Sequence, residues 1–425
     1  MNLKRSFVLF VSLLFLNLLS AEGKILTIED AVRLAKENNI SVKKAENNLD
    51  SLAVQNKYSW NSVSPAAKLN GNFEDDIEND STAFSLSGAV NLSLKTNLYS
   101  EIKGAKLNYV KGLLTYSEAV RQIELSVRKK FYNLIYQKEN LVLQNRSLET
   151  SRTQYLNNEE KFKNGKISEL DAFTSRVNYE SKKPVVESAE INFQNDLASF
   201  KQLLGIPQKT EIALDGSLDD FLNLKEISFG LLPKVDEPAP DVKSAEYDVE
   251  IAKNSLLNLR FSAYAPVITG SYSYGKSKKS MQDDWMTTNR LSVGVSVPLD
   301  GILPWSSSAV DIKKQKNALD TAEKNLEDAK TTVAVQTESY IRKINQAVKQ
   351  LDSLKSTEKL AEQTYKMTLA AYNYGKTDFL SLQNANDSVL SAGVNLKSQA
   401  YTLISTILDL ESVLGLEFGT LETKK

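Results

Sequence analysis

Two short stretches decide the fold of this chain: GKISELDAF at Gly165–Phe173 and GKTDFLSLQ at Gly375–Gln383. They lie 210 positions apart, and each follows a long helical run. A second pair supports the first, because SVKKAENNLD from Ser41 returns as DVKSAEYDVE from Asp241. A period near 200 residues indicates two whole structural units rather than a solenoid of small ones.

The N-terminus has the pattern of a secretory signal peptide. Lys4 and Arg5 precede an apolar run over 7–19, and small residues follow that run. We therefore expect a signal peptide over 1–21, with the exact cleavage site left open. The run is too short to span a bilayer, and no later stretch approaches the roughly 20 apolar residues that a spanning helix needs. The sequence predicts a mature chain without a transmembrane helix.

The composition argues against several classes of function. The chain has no histidine and no cysteine, so it offers no imidazole base, no thiolate and no disulfide. A formal net charge of -1 gives no basic footprint for nucleic acid. Paired catalytic carboxylates, a nucleophile with its base and a metal-binding cluster are not visible in the sequence. We therefore expect a protein that is not an enzyme and that has no cofactor, no metal and no nucleic-acid partner.

Apolar residues recur every seven positions from Leu113 to Phe162, and no proline falls within 98–162. This spacing is typical of a coiled-coil seam and predicts one helix over 98–162. In the second repeat, a 3,4 alternation of apolar residues predicts a matching helix over 308–373. At about 1.5 Å per residue, each helix would be roughly 100 Å long, several times the length of an ordinary globular helix.

Each long helical run ends at a glycine, Gly165 in the first repeat and Gly375 in the second. The apolar pattern stops near these glycines and then resumes. Glycine favours the left-handed conformation that ends many helices. We expect turns at both positions, leading into antiparallel helices over 168–204 and 377–415.

Between the helices of each repeat, the sequence has the period of β-strands. Apolar residues stand at every second position over 84–94, broken only by Gly88, and over 291–299, with small or polar residues between most of them. This alternation predicts one hairpin per repeat, at about 65–95 and about 266–299. Strands of about ten residues with one apolar and one small polar face are typical of membrane β-barrels. A soluble sheet packed on the helices would show the same alternation, but the signal peptide and the long helices favour the barrel.

Four strands are too few to close a barrel. An open sheet in lipid would leave the backbone groups of its edges unpaired, at a cost of several kcal/mol each. A membrane sheet of this size must therefore be shared between several copies of the chain.

The order of these elements resembles the TolC-like outer membrane efflux family. The resemblance implies a mainly α fold with a membrane β-barrel part, in which four strands per chain form a 12-stranded barrel in a homotrimer. The barrel would continue as a long antiparallel α-helical, coiled-coil tunnel in the periplasm. The domains would then be the signal peptide, repeat 1 over 22–210, a connector over 211–240 and repeat 2 over 241–425.

The same resemblance implies a function, a location and partners. We expect a passive exit duct in the outer membrane, extending into the periplasm, for a tripartite efflux pump or a type I secretion system. The implied partners are a periplasmic adaptor, an inner-membrane transporter and outer membrane lipid. The alternative is a structural coiled-coil protein of the cell envelope, without channel activity, whose strands form a soluble cap. The sequence leaves the cargo and the class of pump open.

The resemblance also places a gate at the periplasmic tip, beside Gly165 and Gly375. Tyr372 corresponds to a family tyrosine that bonds a carboxylate on a neighbouring helix, and Asp171 corresponds to that carboxylate. A charge-assisted hydrogen bond of this kind contributes roughly 1.5 to 3 kcal/mol, which suits a latch.

At other tip positions this chain departs from the family. The best-known members carry an aspartate pair that forms a cation-binding ring, whereas this chain has Ser381 and Asn384 there. Thr377 replaces a basic latch residue, although Lys376 stands beside it. The entrance is therefore expected to be less acidic. Two nearby carboxylates would restore a ring if they face inward, a point that the sequence leaves open: Asp378 and Asp387.

Overall fold

The computed structural model describes residues 24–76, 81–222, 238–279 and 283–421. The signal peptide expected over 1–21 and part of the expected connector lie outside these ranges. Within them, no helix combines the length and the apolar character that crossing a membrane requires. The strands of the described ranges are β1 Lys24–Leu26, β2 Ala66–Asp76, β3 Ser81–Lys95, β4 Ile212–Leu214, β5 Val267–Lys278 and β6 Met286–Ser296. The α-helices are α1 Ile28–Asn38, α2 Ile40–Lys57, α3 Leu98–Lys163, α4 Glu169–Leu204, α5 Pro240–Tyr264, α6 Ser307–Asn373 and α7 Phe379–Leu414.

The chain divides into two compact units. The first, called here the helical unit, comprises Met1–Lys43, Ala119–Asp236 and Val335–Lys425. The second, called the sheet unit, comprises Lys44–Glu118 and Glu237–Ala334. Each unit takes segments from both sequence repeats, so the duplication describes the order of the elements rather than the compact bodies.

The two longest helices are α3 with 66 residues and α6 with 67. At 1.5 Å per residue, each is about 100 Å long. Both lie within one residue of the expected bounds, and α4 and α7 begin one and two residues later than expected. The first helical segment of repeat 1 is broken at Asn39 into α1 and α2. At this break, the side chain of Asn39 donates a hydrogen bond to the carbonyl of Leu203, at 2.8 Å.

The helical unit is built around an apolar core. Phe131 and Phe200 are almost completely buried, with ring centroids 6.2 Å apart. The heptad positions of α3 contribute unequally to this core. Val127 and Leu134 are buried at 0% and 1% exposure, whereas Phe162 near the end of the helix is 40% exposed. The seven-residue repeat therefore predicts the helix correctly but not the residues that it buries along its whole length.

The sheet unit contains one antiparallel sheet with the strand order β2-β3-β5-β6. Each repeat supplies one hairpin, and the two hairpins join through β3 and β5. The strand ends Asp76, Ser81, Lys278 and Met286 lie at one end of the sheet, while the helices connect to its other end. Among the described residues, β2 and β6 are the edge strands of this sheet.

The strand register separates apolar and polar side chains onto opposite faces. Leu94, Ile268 and Val295 form one row across three strands, and the neighbouring residues Ser93 and Thr269 pair on the other face. The apolar face is open, since Val295 is 68% exposed. A soluble sheet packed on the helices of its own chain would bury this face. The register and the exposure therefore favour the membrane sheet over the soluble one.

Candidate gate at the two helix turns

The two turns that end α3 and α6 have the same construction. Gly165 and Gly375 adopt left-handed φ values of 66° and 69°. In the second turn, the Gly375 amide donates to the Tyr372 carbonyl at 3.0 Å, and the Lys376 amide donates to Ala371 at 2.9 Å. This pair of bonds closes the last helical turn and requires a residue that tolerates positive φ. The glycines therefore fix where each long helix reverses direction.

The two helices that follow the turns begin with the same two residue types in opposite order. Serine is the cap and aspartate lies three residues later in repeat 1, and the reverse holds in repeat 2. In repeat 1, Ser168 Oγ accepts from the Asp171 amide at 3.1 Å and donates to the Asp171 carboxylate at 2.8 Å. In repeat 2, the Asp378 carboxylate accepts from the Ser381 amide at 2.7 Å. Hydrogen bonds from Ser381 lower the pKa of Asp378. Asp171, Asp378 and Ser381 thus have a local task in starting their helices.

Tyr372 has a different partner from the one expected. Its hydroxyl donates to Oδ1 of Asn158 on α3, at 2.7 Å, and not to Asp171. Burial raises the pKa of the Tyr372 hydroxyl, the bond to Asn158 opposes this rise, and the charge of Asp171 adds to it. Within this chain the bond of Tyr372 is therefore neutral.

The ring of Tyr372 is held on two sides. Lys161 Nζ lies 4.6 Å from the ring centroid, and the buried ring of Phe379 packs edge-on at 6.0 Å. These contacts leave little freedom for the hydroxyl, which makes Tyr372 the best-anchored of the expected gate residues.

Of the remaining expected gate residues, most are exposed to solvent and one forms an ion pair. Lys376, Ser381 and Asn384 are exposed, and Thr377 is half-buried. Asp387 forms an ion pair with Lys182 of α4, with 2.7 Å between Nζ and Oδ1. Since Asp378 caps a helix and Asp387 is paired, both carboxylates proposed for an acidic ring already have partners in this chain.

Sequence reasoning missed the polar seam, a row of four buried polar residues of α3. Their exposed fractions are 6%, 1%, 7% and 1%, and they are Ser147, Ser151, Gln154 and Asn158. The spacing of 4, 3 and 4 is that of a coiled-coil seam, here filled by polar side chains. This spacing of Ser, Ser, Gln and Asn was the signal available in the sequence.

The polar seam contacts the other helices of the tip through both short and long hydrogen bonds. Two are short, from Tyr372 to Asn158 at 2.7 Å and from Lys182 Nζ to Ser147 Oγ at 2.9 Å. Gln154 donates to the Tyr365 hydroxyl at 3.4 Å, and Asn386 donates to Ser147 at 3.3 Å. Both distances are at the weak end of hydrogen bonding. Oε1 of Gln154 and Nδ2 of Asn158 have no hydrogen-bond partner among the described residues. The tip is thus closed by contacts that water can replace when the helices separate.

Comparison with known proteins agrees with this architecture. The outer membrane efflux protein family matches residues 231–416. The outer membrane protein TolC of Vibrio cholerae serotype O1 is 20% identical over 306 residues, which is 71% of this chain and 69% of TolC. Over these residues the chain is similar to the TolC-like outer membrane efflux family. Members of this family are channel proteins rather than enzymes.

Two solved channels show that this family's fold extends over nearly the whole chain. The Campylobacter jejuni CmeC outer membrane channel superposes with a TM-score of 0.78 at 18% identity, covering 93% of this chain and 90% of CmeC. VceC of Vibrio cholerae gives a TM-score of 0.73 at 13% identity, covering 92% and 96%. The predicted family, the fold of a helical tunnel with a barrel part, the outer membrane location and the role of an exit duct are confirmed.

Proposed function

We propose that three copies of this chain form a passive outer membrane exit duct that is closed at its periplasmic end by the two helix turns of each copy. The observation that carries the proposal is the open four-stranded sheet with one exposed apolar face. Such a sheet is incomplete as a membrane structure, because its edges β2 and β6 expose unpaired backbone groups.

Joining β6 of one copy to β2 of the next removes every open edge. Three copies of four strands give a barrel of about twelve strands, a size that leaves space for an aqueous channel. The small polar face of Ser93 and Thr269 would then line the lumen, and Leu94 and Val295 would face lipid.

The gate would open when the helix pair of repeat 2 moves away from that of repeat 1. This motion breaks the bond of Tyr372 to Asn158 and the ion pair of Asp387 with Lys182, together with the long bonds of the polar seam. A neutral hydrogen bond contributes about 0.5 to 1.5 kcal/mol, and a partly exposed ion pair contributes at most about 1 kcal/mol. Closure therefore rests on a few kcal/mol per chain, which a bound partner can overcome.

The energy for transport would come from an inner-membrane transporter, joined to the duct by a periplasmic adaptor. Large apolar side chains at the tip support such docking or contact with other copies: Leu170 is 73% exposed, Tyr374 81% and Leu380 59%. Exposed apolar residues in this number are typical of interaction surfaces.

Because the chain has no cysteine, cysteine cross-linking can test the shared barrel directly. Asn70→Cys on β2 and Ser292→Cys on β6 lie on the small polar face of the two edges. In one chain carrying both changes, a flexible bifunctional thiol reagent should give a ladder of products that ends at the trimer. Each single variant serves as a control and should give no ladder beyond the dimer.

The same preparations distinguish the duct from a structural envelope protein. A detergent-requiring trimer that conducts ions in planar bilayers supports the duct. A water-soluble rod without edge-to-edge cross-links would contradict it.

A further inference from the structure

Two lysines stand at the outer end of the sheet's apolar face. The residues of β5 on this face, from the helix end towards the hairpin turn, are Ile268, Gly270, Tyr272, Tyr274, Lys276 and Lys278. The register places Lys276 beside Leu86 of β3 and Lys278 beside Phe84. Both ammonium groups therefore continue the row of side chains that face lipid.

The position of Lys276 along the strand corresponds to a membrane boundary. At about 3.4 Å per residue, Lys276 lies roughly 27 Å from Ile268 along β5, or about 20 Å in height for a strand tilted by about 40°. The apolar band of outer membrane barrels is about 25 Å tall. Since the helices at the other end of the sheet are periplasmic, the backbone of Lys276 lies about 5 Å below the outer edge of this band, and the lysine side chain is long enough to bring its ammonium group to the outer leaflet's head groups.

A cavity of about 450 Å³ opens in the apolar face beside Lys276. Its lining residues are Leu69, Leu86, Gly88, Tyr274, Lys276 and Trp285. A Cβ atom added at Gly88 would meet no atom within 4 Å, and Gly88 is not among the glycines with positive φ. Neither the backbone nor a neighbouring side chain requires glycine at this position. A glycine of this kind inside a strand often marks a place where another molecule approaches the backbone.

The Trp285 side chain in the wall of the cavity is held by packing, whereas the ammonium group of Lys276 is free to bind a ligand. The Trp285 ring packs edge-on against Phe84 at 5.5 Å, and Lys278 Nζ lies 5.4 Å from the Trp285 centroid. Lys276 is exposed and makes no ion pair or side-chain hydrogen bond with the other described residues. On the same face, Asp75 lies two rows further out and two strands away. An apolar depression and an available ammonium group thus lie side by side.

We propose that this cavity binds a phosphorylated acyl lipid of the outer leaflet, with an acyl chain over Gly88 and a phosphate group on Lys276. The ammonium group supplies a charge-assisted hydrogen bond to the phosphate, and the depression supplies apolar contact for the chain. Inorganic phosphate would use the lysine alone, and an uncharged lipid would use the depression alone. The combination therefore selects an anionic amphiphile.

Native mass spectrometry of the full chain in mild detergent tests the proposal. The chain is incubated with bisphosphorylated lipid A, with the same lipid stripped of its phosphates, or with inorganic phosphate. Wild type should retain the phosphorylated lipid, and Lys276→Gln should retain about tenfold less of it, as expected for loss of one charge-assisted hydrogen bond. Gly88→Leu should reduce retention similarly by filling the depression.

Gly270→Leu is the matched control. Gly270 is also open on the apolar face, but its neighbours across the sheet are Leu92 and Val293, without a lysine. This variant should retain lipid as wild type does. Equal retention by wild type and Lys276→Gln, equal retention of the dephosphorylated lipid, or displacement by inorganic phosphate would overturn the proposal. Because it rests on the sheet's lying in the outer membrane, conductance is measured on the same preparations: a conducting wild type without retained lipid refutes the lipid site and leaves the duct intact.

Discussion

Two segments of α3 use the same packing geometry with opposite chemistry. In the first, Val127, Phe131 and Leu134 follow one another at spacings of 4 and 3 and are completely apolar. In the second, the polar seam from Ser147 to Asn158 follows the same alternation with hydroxyl and amide side chains. Both segments are buried within the helical unit. The spacing determines that helices pack there, and the side chains determine how strongly they do so.

The difference has an energetic consequence for a channel. Each large apolar side chain buried in the core contributes about 1.5 to 3 kcal/mol, and this stabilisation is lost whenever the contact opens. Each hydrogen bond of the polar seam contributes only about 0.5 to 1.5 kcal/mol, because water replaces it after opening. The core is thus suited to hold the helices together permanently, and the seam is suited to a closure that reverses.

The largest effect is expected in the apolar core. Phe131→Ala should destabilise the helical unit by about 3 to 5 kcal/mol, since Phe131 is 2% exposed and its cavity has few ways to collapse. Denaturant unfolding in detergent, followed by helix content, measures this loss. Ser151→Ala, a buried change of the seam, is the matched variant and should cost far less. Similar losses in both variants would mean that the seam is as important for folding as the core.

The next effect concerns the bond between Tyr372 and Asn158. Tyr372→Phe leaves the buried Asn158 carbonyl without its donor in the closed state, a penalty of about 1 to 3 kcal/mol that opening relieves. The open fraction in planar bilayers should therefore rise by about five- to a hundredfold for each independent latch.

The double variant Tyr372→Phe with Asn158→Leu tests whether the rise in open fraction comes from the unpaired Asn158 carbonyl. Replacing both partners by apolar groups of similar shape removes the unpaired carbonyl, so closure should return to the wild-type level or exceed it. A double variant more open than either single variant would show that Tyr372 and Asn158 act separately. Asp171→Ala should have a smaller effect than Tyr372→Phe, because Asp171 bonds Ser168 in this chain.

The fold was more accessible to sequence reasoning than the gate. Heptads, glycine turns and two-faced strands are local patterns, and each occurs in the structure within about three residues of its expected place. The buried side of α3 was harder to predict, because the apolar heptad passes through Leu148 and Tyr155 while the structure buries Ser147 and Gln154, one residue earlier in each case. A polar residue becomes a seam residue only through partners that are distant in sequence. The partner of Tyr372 lies 214 positions away, and no periodicity predicts such a pair.

A smaller effect is expected for the charge of Lys182 at the tip. Lys182→Met removes the ion pair with Asp387, whose side chain is 46% exposed, together with the hydrogen bond from Lys182 to Ser147, and should raise the open fraction by about two- to fivefold. The wild-type open fraction should also rise with salt, because the Debye length falls from about 30 Å to about 3 Å between 0.01 and 1 M, and this dependence should weaken in Lys182→Met.

Lys183→Met is the control for this charge effect. Lys183 pairs with Glu180 of the same helix, so its removal breaks no contact between helices. Conductance records at low and high salt give the open fraction of wild type, Lys182→Met and Lys183→Met. A response of Lys183→Met equal to that of Lys182→Met would attribute the effect to net charge rather than to the pair.

The smallest effect concerns Glu411, a carboxyl group within the otherwise apolar core. It is fully buried and accepts from the amides of Gly419 and Leu421, at 3.0 and 2.7 Å. Burial raises its pKa, against the opposing effect of these amides and of two arginines. The folded chain therefore favours the protonated form, so this group's stabilisation is fully present below the unfolded pKa of 4.5 and is lost as pH rises through the folded pKa.

Glu124 in the same unit gives the opposite sign. Its pKa is lowered, because hydrogen bonds and charges from Lys36 and Arg128 outweigh the effect of burial, so its stabilisation is present above 4.5 and is lost as pH falls through the folded pKa. Unfolding midpoints between neutral and acid pH should therefore fall more steeply in Glu411→Gln than in wild type, and less steeply in Glu124→Gln. Parallel curves for all three proteins would show that neither carboxyl group couples its protonation to folding. In that case the stability of the helical unit would not depend on the protonation of Glu411, although this carboxyl group is buried in its core.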